Sequence, residues 1–151
     1  MFLGQYRHTI DEKGRLTIPA RFRDLLEQGA YVTQGLEKNL MVLTADAFEQ
    51  LARQTNRSSL TDQTAREFKR LLFSTAERLE PDKNGRILLP QFLREFTGLD
   101  GEVMLVGVGT HFEIWPTDAW EKQINRLQDA EANAQRFAGL SLSTESMDEK
   151  S

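Results

Sequence analysis

A nine-residue phrase occurs twice in this chain with its internal spacing unchanged. Asp11-Glu12-Lys13-Gly14-Arg15-Leu16-Thr17-Ile18-Pro19, followed by Arg23, returns as Asp82-Lys83-Asn84-Gly85-Arg86-Ile87-Leu88-Leu89-Pro90, followed by Arg94. Both 82 − 11 and 94 − 23 give 71, so one unit has been duplicated with its spacing intact. Phe2 with Phe73, Arg7 with Arg78 and Val32 with Val103 keep that offset, and after one inserted residue Leu40, Val42 and Phe48 align with Phe112, Ile114 and Trp120 at offset 72. Each copy is too short to bury much apolar surface alone. The two halves are therefore expected to share one core as a pseudo-twofold domain.

The order of elements within a copy follows from periodicity. Tyr6 to Ile10 alternates as a strand does, and Leu16 and Ile18 alternate with Arg15 and Thr17 beyond Gly14. A hairpin is predicted with its tip at Glu12-Lys13-Gly14, and in copy two at Lys83-Asn84-Gly85, where Asn-Gly tolerates positive φ at both residues. Leu16, Ile18, Ile87 and Leu89 then face inward, which aims Arg15 and Arg86 outward beside the turn. Pro19 and Pro90 suit the first turn of a helix, and Phe22, Leu25 and Leu26 recur at helical spacing until Gly29, with Leu93 and Phe96 before Gly98. A second strand pair follows in each copy, Tyr31 to Thr33 with Leu40 to Leu43 and Val103 to Val108 with Phe112 to Trp115. Thr44, Thr61 and Thr117 are the predicted caps of later helices.

Charge is distributed unevenly. The net charge is −4, yet residues 1–23 carry five cations against two carboxylates, whereas residues 129–151 carry five carboxylates against two cations. With no cysteine, disulfides, thiolate catalysis and thiolate zinc sites are excluded. No apolar run approaches membrane-spanning length and the first residues lack a charged leader, so a cytoplasmic protein without membrane association is expected.

Enzyme chemistry lacks its parts. His8 and His111 stand apart without metal-ligand spacing, Ser58 and Ser59 have no glycine elbow, and Gly107-Val108-Gly109 opens no helix. Asp11 and Asp82 read as turn-forming, Arg-orienting residues rather than a catalytic pair, and Trp115 and Trp120 as core aromatics. No enzyme and no cofactor is expected.

Two copies of Asp-x-[Lys/Asn]-Gly-Arg-x-x-x-Pro-x-x-x-Arg resemble the signature of the MraZ family, which is built from two AbrB-like (SpoVT-AbrB) swapped-hairpin units, and the resemblance covers residues 1–137. It implies an α+β, mainly β fold: a pseudo-twofold swapped-hairpin β-barrel formed by the two repeats, with peripheral helices. The expected division is repeat one over residues 1–53, a connecting loop and helix over 54–72, repeat two over 73–128, and a helix end with a mobile tail over 129–151. The resemblance further implies a transcriptional regulator that binds direct repeats in double-stranded promoter DNA upstream of the division and cell-wall gene cluster. It would act as a ring-shaped homo-oligomer, octamer or dodecamer, on the nucleoid.

By carry-over, Arg15 and Arg86 contact DNA; Lys13, Lys83, Arg7 and Arg78 are expected near the same tips, where they would add phosphate attraction. Asp11, Gly14, Pro19, Arg23, Asp82, Gly85, Pro90 and Arg94 complete the motif structurally, Arg23 and Arg94 by bracing the turn through an ion pair. An outward guanidinium at such a tip can meet guanine O6 and N7 in a bidentate fashion. The competing reading is an AbrB-like protein-interaction or antitoxin-type module with no direct DNA role. Thr17, Arg21 and Phe22 become Leu88, Phe92 and Leu93, so copy two is less charged beyond its turn and better suited to packing against protein.

Overall fold

The computed structural model describes residues 1–142, which form eight strands and six helices. The chain divides into two compact units, Met1–Trp120 and the segment from Glu121 onward. No described helix is long and apolar enough to cross a membrane.

The first unit is assembled by exchange between the repeats. In repeat one, β1 (Gln5–Thr9) leads through the Asp11–Gly14 turn to β2 (Arg15–Thr17), α1 (Ala20–Arg23), β3 (Ala30–Gln34) and β4 (Leu40–Thr44). In repeat two, β5 (Glu77–Leu79), β6 (Arg86–Leu88), α4 (Gln91–Thr97), β7 (Glu102–Gly107) and β8 (His111–Pro116) follow in the same order. Between them lie α2 (Ala45–Asn56) and α3 (Gln63–Ser74). A six-stranded antiparallel sheet runs β1-β7-β8-β4-β3-β5, and β2 with β6 makes a separate two-stranded ribbon. β1 thus pairs with β7 of the other repeat, β5 pairs with β3, and β2 pairs with β6. The pseudo-twofold axis passes through the directly opposed Leu16 and Ile87 of the ribbon.

Sharing the core explains why the repeats need each other. Leu16, Ile18, Ile87 and Leu89 from the ribbon are buried with Val32, Val42, Val103, Phe112 and Ile114 from the sheet in one cluster. Phe22 sits at its centre, stacked on Phe112 at 4.9 Å and edge-on to Phe2 at 5.2 Å. Separating the halves would expose both faces of this cluster at about 25 cal/mol per Å² of apolar area. The swapped-hairpin, α+β organisation expected from the sequence is the one observed.

Several local expectations are corrected. The two arms of each tip hardly pair with one another: β1 and β2 share only the Ile10–Leu16 bridge, because each arm finds its ladder in the other repeat. Asn84 keeps a negative φ, and Gly85 alone supplies the left-handed residue of its turn at +74°. Pro19 and Pro90 stand one position earlier than predicted, as extended N-caps whose carbonyls accept the first helical bonds. Thr44 does cap α2, but the cap of α3 is Asp62 rather than Thr61. Thr117 donates its hydroxyl to the Glu102 carbonyl.

In the second unit, α5 (Thr117–Leu127) ends and α6 (Ala130–Phe137) begins, capped by Asp129, whose carboxylate accepts from the Ala132 N–H. The sequence pattern had not separated this helix from the preceding one. The tail predicted to be mobile lies, from residue 143 onward, outside the described residues.

Candidate nucleic-acid interface

Each turn is built around one aspartate. Asp11 Oδ1 accepts from the backbone N–H groups of Lys13 and Arg15, both at 2.9 Å, and Oδ2 accepts from Arg15 Nε at 2.7 Å. Asp82 repeats the pattern with Asn84 at 2.8 Å, Arg86 N–H at 2.9 Å and Arg86 Nε at 3.0 Å. Aspartate is suited to this work because its short side chain reaches its own backbone two to four residues on. The bonds hold each carboxyl below the ordinary aspartate pKa, the Arg15 or Arg86 backbone N–H being the largest cause. Both carboxylates are therefore fully charged at neutral pH.

The consequence falls on the arginines. Asp11 and Asp82 occupy only the Nε edge of each guanidinium, and the terminal nitrogens make no hydrogen bond among the described residues. Each side chain is held in orientation while the part that can meet a base edge or a phosphate stays open. About a third of each side chain is exposed, 34% for Arg15 and 30% for Arg86.

Register places both on one surface. Arg15 opposes Leu88 and Thr17 opposes Arg86 across the ribbon, while Leu16 and Ile87 turn inward. Directly opposed residues share a face. Arg15, Thr17, Arg86 and Leu88 therefore form the ribbon's outer face, with the two turns at its ends. Lys13 and Lys83 are exposed on those turns.

Arg23 and Arg94 brace the turns differently from the predicted ion pair. Neither makes a salt bridge among the described residues. Each reaches across to the other repeat, where the Arg94 guanidinium covers Gly14 and that of Arg23 covers Gly85. Arg23 also donates to the Ile18 carbonyl at 3.0 Å and Arg94 to the Leu89 carbonyl at 3.1 Å. A side chain at Gly14 or Gly85 would thus meet both a positive φ, +84° and +74°, and a guanidinium packed on top. The sequence displayed the two arginines at matching positions but not that each serves the opposite copy.

Arg7 and Arg78 belong to the sheet rather than the ribbon. Arg7 pairs with Glu102 at 2.6 Å, which offsets its charge. Arg78 lies over the Tyr31 ring at 5.8 Å and against Gly29, with Glu80 at 3.7 Å.

A duplicated swapped-hairpin domain, carrying two acid-held arginines on one ribbon between its repeats, is the class of protein that these features define. The family model described as "MraZ protein, putative antitoxin-like" matches residues 1–71 and again residues 72–140. A protein of Roseiflexus sp. (strain RS-1) is 46% identical over 138 residues, covering 91% of this chain and 94% of its own length. Proteins of Carboxydothermus hydrogenoformans and Thermomicrobium roseum are 45% and 41% identical, over 86% and 93% of this chain and 91% and 99% of their own lengths. All three are named Transcriptional regulator MraZ. The chain belongs to the MraZ family, and that membership places it among transcriptional regulators.

Proposed function

We propose that this protein regulates transcription by binding double-stranded promoter DNA with the β2–β6 ribbon. Arg15 and Arg86 are the primary contacts, with Lys13 and Lys83 adding phosphate attraction from the turns and Arg7 and Arg78 a weaker contribution from the sheet. The observation that carries this reading is the doubled aspartate–arginine turn, which presents two oriented guanidinium groups on one outward face. A two-stranded ribbon fits the major groove, and a guanidinium with its terminal nitrogens open can grip guanine O6 and N7.

The target is the set of direct repeats ahead of the division and cell-wall gene cluster, bound by a homo-oligomeric ring, octamer or dodecamer, in the cytoplasm on the nucleoid. One ribbon contributes few phosphate contacts and binds weakly. Several ribbons on tandem sites make later contacts intramolecular, so avidity supplies the rest.

One feature favours the protein-interaction reading: an apolar groove of about 370 Å³ lined in part by Leu36, Met41, Leu43, Leu51, Phe68 and Leu71. The readings separate by salt. Electrophoretic mobility of the upstream fragment with the full-length assembled protein should show a steep loss of affinity as salt rises, the signature of displaced counterions. Absent or salt-insensitive binding would refute the DNA reading.

A further inference from the structure

The ribbon's two ends carry the same arginine but not the same neighbour. Around the pseudo-twofold axis, Thr17 of repeat one is equivalent to Leu88 of repeat two, and Arg21 is equivalent to Phe92. Leu88 lies directly opposite Arg15 on the outer face and is 60% exposed, and Phe92, at the start of α4, is 61% exposed. Each stands where its counterpart is polar or charged. A single exposed leucine needs no explanation. Leu88 differs from other exposed aliphatics in its place, across from an oriented arginine on the ribbon's outer face, where repeat one carries a polar residue.

We infer that Leu88 is a base-reading residue that takes the 5-methyl group of a thymine beside the base gripped by Arg15. The inference rests on the DNA reading above and specifies what that interface recognises. Charge favours DNA as the partner through two arginines whose terminal nitrogens stay open and through Lys13 and Lys83, the four cations of the turns outnumbering Asp11, Glu12 and Asp82 by one. In the major groove, the group that an aliphatic side chain can distinguish is the thymine methyl.

Symmetry gives the inference its second part. A true twofold ribbon would present identical ends and favour a palindromic site, since the two-fold of the protein is mirrored in the DNA it reads. This ribbon has an Arg15–Leu88 end and an Arg86–Thr17 end. One chain therefore reads a site with a direction. Tandem copies of a directional site repeat head to tail, so the break at Leu88, together with Glu12 and Lys13 standing where the second turn has Lys83 and Asn84, matches one protomer to one orientation of repeat.

The test is fluorescence anisotropy with the full-length protein on upstream duplexes in which thymines are replaced one at a time by deoxyuridine, which keeps pairing and removes only the methyl. Wild-type protein should lose about threefold to fivefold in affinity at sensitive positions, and these should fall on one side of the arginine-contacted base. Leu88→Ser, which removes the aliphatic branches and leaves no methyl group, should bind more weakly and be indifferent to deoxyuridine at those same positions. Tight, salt-dependent binding that ignores every deoxyuridine would overturn the inference and leave the DNA reading intact. Sensitive thymines on both sides equally would overturn the directional claim, and a change of oligomeric state in Leu88→Ser by light scattering would make Leu88 a subunit contact instead. No salt-dependent binding at all would remove the reading on which the inference rests.

Discussion

At the turn of repeat one, an aspartate holds two backbone N–H groups and an arginine Nε, and at the turn of repeat two another aspartate holds the equivalent three. Around that device the copies differ, with Glu12 and Lys13 against Lys83 and Asn84 in the turns and, two residues beyond each arginine on the outer face, Thr17 against Leu88. Duplication has kept the device that orients a guanidinium and let its surroundings diverge. A turn of this kind cannot vary gradually, because its glycine, its aspartate and the covering arginine from the other repeat each require the others. The ribbon's outer face has no such constraint. Difference there changes what is contacted without changing how the arginine is held.

The shared core is where the two repeats should be hardest to tell apart. Leu16 and Ile87 oppose each other on the axis and neither is exposed. Leu16→Ala and Ile87→Ala are each expected to cost about 2–5 kcal/mol in urea unfolding, in a single transition. The double variant should be non-additive because the two side chains are in contact range. Two separate transitions would break the claim that the halves share one core.

The arginines come next. Arg15→Ala and Arg86→Ala should each weaken DNA binding by on the order of 1–3 kcal/mol, with the larger loss at Arg15. Stability should move little, since a partly exposed ion pair contributes at most about 1 kcal/mol. Equal losses measured by electrophoretic mobility would mean that Leu88 adds nothing to the grip of Arg15.

Glycine substitution probes the exchange between repeats. Gly14→Ala and Gly85→Ala should cost roughly 1–2 kcal/mol from left-handed backbone alone, and more where the covering guanidinium must move. Arg23 packs more closely over Gly85 than Arg94 does over Gly14, so the Gly85 variant should be the less stable in thermal unfolding. Truncating the covering residue, as in Gly85→Ala with Arg23→Ala, should cost less than the sum of the single changes. A sum that is strictly additive would mean that the arginine does not restrain the turn.

Much of this was visible in the chain before its structure. A repeat exact in its spacing, with aliphatics alternating beyond a glycine, specifies inward Leu16 and Ile87 and an outward Arg15 and Arg86, since strand alternation is a local property. The arms' true partners were not local. Nothing in the residues of β1 says that its ladder is β7, and the turn looks like an ordinary hairpin until the other copy is present to take both strands. The roles of Arg23 and Arg94 were hidden for the same reason, because a guanidinium that covers a glycine 62 or 80 residues away leaves no periodic trace. The register that opposes Arg15 to Leu88 likewise belongs to the assembled ribbon. Sequence recorded the difference at Thr17 and Leu88, and geometry showed which arginine it faces.

The smallest difference between the repeats should be in their acid titration. Asp11 and Asp82 both have their pKa lowered, chiefly by the backbone N–H of the arginine that follows, and both face solvent. A carboxylate whose folded pKa lies below its unfolded value of about 3.9 adds stability that is present above that value and disappears as pH falls through the folded one. Near neutral pH neither turn should respond. Carboxyl carbon shifts followed by NMR from neutral pH into acid should give midpoints below the ordinary aspartate value at both residues. Asp11 has the shorter side-chain contact, 2.7 Å to Arg15 Nε against 3.0 Å at Asp82, so removing the arginine should raise the Asp11 midpoint slightly more in Arg15→Ala than the Asp82 midpoint in Arg86→Ala. In both variants the midpoint should stay below the ordinary value, because the backbone N–H groups remain. A midpoint restored fully to that value would show that the side chain, not the turn's own backbone, holds the charge in place.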